Sequence, residues 1–334
     1  MKKILYFIAA LAIISCKNEP KDYVTFSGTI TDQKSDSVVV RSRTYSKTIQ
    51  VQEDGSFSDT LNVTPGVYSF YDGAESTSIF LKNGYDIKMT LDTKMFDESA
   101  KYTGTGSENS NFLAQKSLME EKLYEQDFDA LDKEGLETTF KNIRKEVTGF
   151  INSHKDLDSI VSNSSFENLE RSIAGNKNYF MGIAQLREDL PKGAPSPTFD
   201  KYENHKGGTT SLSDLKGKYV YVDVWATWCG PCKREIPFLK EVEKKYHGKN
   251  IEFVSTSIDV AKDHNAWVEM VKEKELGGIQ LFADNDWKSD FVTGYKIKGI
   301  PRFILIDPNG NIVNASAPRP SSEKLIELFN QENI

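Results

Sequence analysis

The 334-residue sequence is poor in cysteine and has no long run of basic residues. Its three cysteines are Cys16, Cys229 and Cys232, and its formal net charge is −7. An acidic chain without a basic patch does not favour nucleic acid as a partner. A zinc site at the two later cysteines would need two further Cys or His ligands at suitable spacing. The sequence has no such pair, so no metal site is predicted.

Long apolar runs are also missing, and the one notable run lies at the N-terminus. Lys2 and Lys3 precede an apolar segment from Ile4 to Ile14, which is too short to span a bilayer but typical of a signal peptide. The segment ends in Ile13-Ile14-Ser15-Cys16, which resembles the bacterial lipoprotein cleavage box. This resemblance implies that residues 1–16 hold the signal peptide and lipobox, with Cys16 as the lipid anchor. Ordinary secretion, with an unmodified cysteine, is the alternative.

The other two cysteines lie where a strand pattern gives way to a helix pattern. The apolar run Tyr219–Trp225 predicts a buried strand, and helical periodicity begins directly after Cys229. The first N–H groups of a helix are unpaired and its dipole is positive there, so Cys229 should have a lowered pKa and act as a nucleophile. Cys232 is one turn further on and can attack a mixed disulfide at Cys229. A purely structural disulfide is the alternative.

The residues around these cysteines carry a resemblance to a known family. The segment Trp228-Cys229-Gly230-Pro231-Cys232-Lys233, preceded by Val222-Asp223-Val224-Trp225-Ala226, resembles the active site of thioredoxins. Residues 193–334 resemble the extracytoplasmic TlpA/ResA-type thiol–disulfide oxidoreductases, with an insertion at about 260–282. The resemblance implies an α/β thioredoxin fold and a redox-active Cys229–Cys232 disulfide, without any cofactor.

The same resemblance implies a surface that binds the substrate. Gly299-Ile300-Pro301-Arg302-Phe303 matches the family segment in which a cis-proline faces the disulfide. A cis bond before Pro301 would expose the backbone of Ile300, which could pair with an extended partner segment. The predicted substrate-binding residues are therefore Trp228, Gly230, Pro231, Ile300 and Pro301.

Two acids complete the predicted catalytic set. Asp223 interrupts an apolar strand, and a buried carboxylate without a partner should have a raised pKa. By resemblance it accepts the proton of Cys232, although Ser255 replaces the lysine that thioredoxins place nearby. A solvent-facing strand-end aspartate is the alternative. Glu235 matches the acid that tunes the cysteines in ResA-type proteins, and an exposed helical glutamate is the equal alternative.

The first half of the chain has a different pattern. Residues 23–106 contain short strand patterns and the hairpin signals Asp54-Gly55 and Asn83-Gly84, which predict a small antiparallel sandwich or barrel. It resembles the N-terminal β-domain of unknown function of some bacterial lipoproteins, and we interpret it as a spacer or docking module. Residues 108–190 have helical spacing and predict a connecting segment before the proline-rich linker 191–197.

The sequence thus predicts a lipid-anchored thiol–disulfide oxidoreductase that faces the periplasm, with the outer membrane favoured over the inner. Because Gly230-Pro231 resembles reducing thioredoxins, reduction of partner disulfides is the favoured direction. The expected partners are periplasmic proteins with disulfides, with apocytochromes c as a candidate class, and a membrane thiol reductant. One alternative is a disulfide oxidase or isomerase. Another is a ligand-binding lipoprotein that uses the thioredoxin domain as a scaffold.

Overall fold

The structure is a computed structural model that describes residues 21–334. The predicted signal peptide and Cys16 lie outside the described residues. Contacts divide the chain into two compact units, which are described separately. The first contains residues up to 127 together with 137–176, and the second contains 128–136 and 177–334. Among residues 21–334, no helix is both long and apolar enough to cross a membrane.

The first unit contains two four-stranded sheets whose facing side chains form one core. One sheet has the strand order β4-β1-β7-β8 and the other has β3-β2-β5-β6. The strands are β1 (Val24–Thr31), β2 (Ser37–Arg41), β3 (Ser46–Gln50), β4 (Ser56–Leu61), β5 (Gly66–Tyr71), β6 (Ser76–Leu81), β7 (Asp86–Asp92) and β8 (Lys101–Thr105).

One strand pair differs from the predicted antiparallel arrangement. Strands β1 and β7 run parallel, whereas the other pairs of the two sheets are antiparallel. The pairing joins strands that are far apart in the chain, because the four strands of the second sheet and β4 of the first all lie between β1 and β7 in sequence. The predicted turn at Asp54-Gly55 is present. A Cβ on Gly55 would lie 2.0 Å from the carbonyl oxygen of Ile30, so the turn requires glycine.

Helices follow the β-rich region. They are α1 (Phe96–Ser99), α2 (Ser107–Tyr124), α3 (Lys133–Ser153) and α4 (Ser159–Asp189). The apolar positions that gave α3 its helical spacing are all buried, namely Leu136, Phe140, Ile143, Val147 and Ile151. Helix α4 is longer than its apolar pattern indicated, because many polar residues continue the helix on its exposed faces.

The second unit contains a mixed seven-stranded sheet with the order β10-β9-β13-β12-β11-β14-β15. The central pairs β11·β12 and β12·β13 are parallel, and β14 runs antiparallel to β11. The strands are β9 (Tyr202–Asn204), β10 (Thr209–Thr210), β11 (Tyr219–Trp225), β12 (Ile251–Ser257), β13 (Ile279–Phe282), β14 (Arg302–Ile306) and β15 (Ile312–Asn314). The helices are α5 (Gly230–Lys245), α6 (His264–Glu273), α7 (Asp290–Gly294) and α8 (Glu323–Gln331).

This sheet has a hydrophobic core on each face. Alternate residues of a strand point to opposite faces. Accordingly, Val220, Val222 and Val224 of β11 belong to one core, whereas Tyr221 belongs to the other. The central strand β11 is therefore covered on both sides, and a polar side chain on it is removed from solvent. Asp223 is such a residue.

Candidate active site

The two cysteines lie at the beginning of α5 and form a disulfide. Their Cα atoms are 5.3 Å apart. Cys229 is the N-cap of α5, and its Sγ accepts the N–H of Cys232 at 3.1 Å. When the disulfide is reduced, this N–H and the helix dipole favour a thiolate on Cys229. Both cysteines are 4% exposed, so access by a partner depends on the loops around them.

The loop before Cys229 is fixed by an acid that sequence reasoning missed. Asp259 is 1% exposed, and its carboxylate accepts the Thr227 N–H at 2.9 Å and the Thr227 hydroxyl at 2.8 Å. It also accepts the Ser257 hydroxyl at 2.7 Å. Asp259 follows β12 at the edge where the parallel neighbour β11 also ends. The sequence did contain a signal for this role. Asp259 follows shortly after the buried strand β12, which pairs with the strand β11 that leads to the cysteine motif.

The proline predicted to be cis is cis. The Ile300–Pro301 peptide bond has this geometry and directly precedes β14. Because Arg302 pairs with Val224 near the end of β11, Ile300 and Pro301 lie at the end of the sheet where the cysteine loop begins. Arg302 itself is partly buried, and its Nη1 has no hydrogen-bond partner within the described chain.

The predicted substrate-binding residues differ in exposure. Trp228 is 56% exposed, and its ring centroid lies 6.5 Å from that of Trp287. Pro231 is exposed, whereas Gly230, Ile300 and Pro301 are partly buried. An exposed tryptophan beside a nearly buried disulfide gives an apolar platform for a partner chain. The binding role of these five residues stays a prediction.

Asp223 lies behind the disulfide, and the solvent-facing alternative is wrong. It is 8% exposed and pairs in register with Ser255 of β12. Its Oδ1 has no hydrogen-bond partner within the described residues. Burial, followed by the charges of Glu235 and Glu243, raises the pKa of Asp223 to about 8. Asp223, Ser255 and Cys232 line one small closed cavity. Asp223 is therefore placed to exchange a proton with Cys232.

Glu235 is buried rather than exposed, and its hydrogen bonds go to the segment before α8. It is 8% exposed, its Oε2 accepts the Ser321 N–H at 3.1 Å, and its Oε1 accepts the Ser321 hydroxyl at 3.0 Å. Arg319 Nη1 lies 3.7 Å from Oε1. The alternative of an exposed helical glutamate is wrong. The charge of Glu235 raises the pKa of Asp223, whereas its tuning of the cysteines stays a prediction.

A further acid, Glu243, was also missed by sequence reasoning. It lines the same cavity as Asp223 and Cys232, and burial raises its pKa to about 7. It follows Cys232 by eleven residues, about three helical turns, so both lie on the same face of α5. That spacing was the available signal.

No metal-binding group was found among residues 21–334. The functional side chains described around the disulfide are therefore the carboxylates of Asp223, Glu235, Glu243 and Asp259, with nearby hydroxyl groups. These groups can accept hydrogen bonds from the backbone, change the pKa of neighbouring groups and transfer protons. Of the groups described at this site, only the sulfurs of Cys229 and Cys232 can change oxidation state.

A cysteine pair at a helix N-terminus, beside a cis-proline and on the central strand of this mixed sheet, defines the thioredoxin-fold class of thiol–disulfide proteins. Residues 191–327 match the family described as Redoxin. The thiol-disulfide oxidoreductase ResA of Bacillus cereus is 29% identical over 146 residues, which cover 44% of this chain and 81% of that protein. ResA of Bacillus subtilis is 28% identical over 127 residues, covering 38% of this chain and 68% of that protein.

Solved structures are similar over the same region. The thioredoxin domain of a thiol-disulfide oxidoreductase from Bacteroides vulgatus is 30% identical, with a TM-score of 0.38 and coverage of 43% of this chain and 98% of that one. The C-terminal region of the chain belongs to the thioredoxin-like, TlpA/ResA-type thiol–disulfide oxidoreductases. The protein is thus a thiol–disulfide oxidoreductase with a separate β-rich N-terminal region.

Proposed function

We propose that the protein reduces disulfides of periplasmic partner proteins while anchored to the cell envelope, preferably the outer membrane, through lipid on Cys16. The observation that carries the redox role is the position of Cys229, whose Sγ accepts the Cys232 N–H in the first turn of α5. The reducing direction rests on the resemblance of Gly230-Pro231 to reducing thioredoxins. The anchor and the compartment rest on the lipobox resemblance of residues 13–16.

The reaction has two sulfur exchanges. The Cys229 thiolate attacks one sulfur of the partner disulfide, forms a mixed disulfide and displaces the other partner sulfur as a thiolate. Cys232 then attacks the Cys229 sulfur, which releases the second partner thiolate and leaves the Cys229–Cys232 disulfide. Two electrons pass to the partner in total. A thiol reductant at the membrane restores the dithiol.

Asp223 acts in the second exchange. The thiol of Cys232 must lose its proton to become a nucleophile, and Asp223 lines the cavity next to it. A base works best when its pKa lies near the working pH, and the pKa of Asp223 is about 8. The carboxylate accepts the proton as the new sulfur–sulfur bond forms.

The partner surface comprises Trp228, Pro231 and the loop that ends in Ile300 and Pro301. The Ile300 backbone lies directly before β14, where an extended segment of a partner could add its own hydrogen bonds. Unfolded or extended disulfide-containing chains suit this arrangement. Apocytochromes c are one such class of partner.

The direction of electron flow is tested by the reduction potential of the Cys229–Cys232 pair together with insulin reduction driven by dithiothreitol. A potential near that of thioredoxin, about −270 mV, supports a reductase, whereas a value near about −120 mV is that of an oxidant and would refute it. Cys232→Ser should trap partners as mixed disulfides on Cys229. Binding of partners without any trapping would instead favour the scaffold alternative.

The anchor is tested separately with Cys16→Ser. This variant should take up no fatty-acid label and should leave the membrane fraction. Labelling of the variant equal to that of the parent protein would refute the lipoprotein assignment, without touching the redox assignment.

A further inference from the structure

Glu243 connects two spaces in the second unit. One is the small closed cavity that Asp223 and Cys232 also line. Its volume of about 10 Å³ is close to what a single water molecule needs. The other is an open surface groove of about 920 Å³. Lys240, Glu243 and Gly277 line both spaces. Of these three, only Glu243 has a carboxyl group, which can accept and release a proton.

The backbone opposite Glu243 leaves room for its carboxyl group. A Cβ on Gly277 would lie 2.2 Å from Oε2 of Glu243, and a Cβ on Gly278 would lie 3.2 Å from Oε1. Gly278 has a φ of 57°, which by itself favours glycine, but Gly277 has no positive φ. A side chain at position 277 would therefore occupy the space that now holds the Glu243 carboxyl group.

We propose that Glu243 is a proton relay between Asp223 and the solvent of the open groove. The proposal rests on the proposed role of Asp223 as the proton acceptor for Cys232. After Cys232 has attacked, the proton lies on Asp223 inside a closed cavity. It passes to the Glu243 carboxylate, directly or through one water molecule, and then to water in the groove. No electrons move in these steps, and the reverse path delivers a proton when the disulfide is reduced again.

The charges around Glu243 suit transfer in both directions. Lys240 on its own helix and Lys206, between β9 and β10, lower its pKa, while burial has the larger opposite effect. From β11, Asp223 faces it across the cavity, and the charge of Glu243 raises the pKa of Asp223. The two pKa values, about 7 and about 8, differ by one unit. Both carboxyl groups therefore have pKa values raised toward neutral pH, and the proton can reside on either one.

The test measures proton exchange on Asp223 in the oxidised protein, with no partner present. The side-chain carboxyl carbon of aspartate is isotope-labelled, and NMR relaxation dispersion near the titration midpoint of Asp223 gives the rate at which its proton exchanges with solvent. Glu243→Gln should slow this exchange by ~100-fold, the lower end of what a positioned proton-transfer group contributes. Glu241→Gln changes an exposed acid on the same helix and should leave the rate unchanged.

Two further variants make the test sharper. Gly277→Ala keeps every titratable group but displaces the Glu243 carboxyl group, so exchange should slow. Glu243→Asp retains a carboxylate and should keep a rate closer to that of the parent. Near-UV circular dichroism should show that each variant remains folded.

An unchanged exchange rate in Glu243→Gln would overturn the relay, even if the titration midpoint of Asp223 fell through loss of a neighbouring negative charge. Equal slowing in Glu241→Gln would also overturn it. The proposed function is decided by a different measurement, insulin reduction. Slow exchange in Glu243→Gln together with absent insulin reduction by the parent protein would therefore refute the reductase but keep the relay.

Discussion

Asp72 in the first unit and Asp223 in the second are both buried, but they differ in the hydrogen bonds that they accept. Asp72 in the β-rich unit is 2% exposed, and its Oδ1 accepts the N–H groups of Ala74 at 2.8 Å and Glu75 at 2.7 Å. These bonds close the turn between β5 and β6. Within the described chain, Oδ2 of Asp72 and Oδ1 of Asp223 both lack a hydrogen-bond partner, so the difference lies in the two N–H groups that Asp72 Oδ1 accepts.

This difference separates a structural carboxylate from a reactive one. Two N–H donors hold Oδ1 of Asp72 in its turn. Asp223 lacks that support and faces the charges of Glu235 and Glu243, so its ionised form is disfavoured. Because its ionised form is disfavoured, Asp223 readily takes up a proton, and the proposed source is the thiol of Cys232. Each of the four tests below can break or sharpen this contrast.

The largest effect should come from Cys229→Ser. Insulin reduction should be lost completely, because serine cannot form the mixed disulfide. Asp72→Asn in the first unit is the control and should keep full turnover, because the described residues of that unit contain no cysteine. Turnover that persists in Cys229→Ser would disprove the nucleophile assignment.

Asp223→Asn should slow the release of a partner from Cys229 by roughly 100-fold or more, because the base for Cys232 is gone. Initial attack by Cys229 should change little, so mixed disulfides should accumulate. Stopped-flow measurement of partner release across the pH range separates the two steps. The defect should shrink at high pH, where Cys232 ionises unaided. Unchanged release at every pH would make Asp223 purely structural.

Replacing each of the two aspartates with asparagine should also change the free energy of unfolding in opposite directions. The folded pKa of Asp223 is raised from 3.8 to about 8. The folded state therefore binds more protons in this range, and stability falls as pH rises from 3.8 to about 8. Asp223→Asn should remove that fall and be more stable than the parent protein above about pH 8. Asp72→Asn should lose about 1–3 kcal/mol at neutral pH. Urea unfolding at several pH values measures both, and a destabilised Asp223→Asn at high pH would contradict the contrast.

The smallest effect should be that of Ser255→Lys. Ser255 is the β12 partner of Asp223, and a cation there should lower the pKa of Asp223 by ~1–3 units. The midpoint of the Asp223 carboxyl titration by NMR gives this shift directly. Ser255→Met has a side chain of similar length without the charge and should not lower the midpoint. Equal shifts in both variants would assign the effect to packing instead of charge.

Local patterns predicted much of the site. The apolar run Tyr219–Trp225 coincides with β11, and α5 begins at Gly230 directly after Cys229. The cis bond before Pro301 followed from the family segment and is present. The burial of Glu235 did not follow, because its partner Ser321 is 86 residues away. The parallel pairing of β1 with β7 escaped prediction for the same reason, since it joins distant strands.

The sequence by itself determined the redox chemistry: two cysteines with one helical turn between them, placed between a strand and a helix. Only the tertiary structure showed that Asp259 and Glu243 also lie close to the cysteine motif. Asp259 reaches Thr227 across 32 residues of sequence, and Glu243 meets Asp223 in one cavity. The pKa of a carboxyl group depends on burial and on neighbouring charges. Both of these are supplied by residues that are distant in the chain and come together only when it folds.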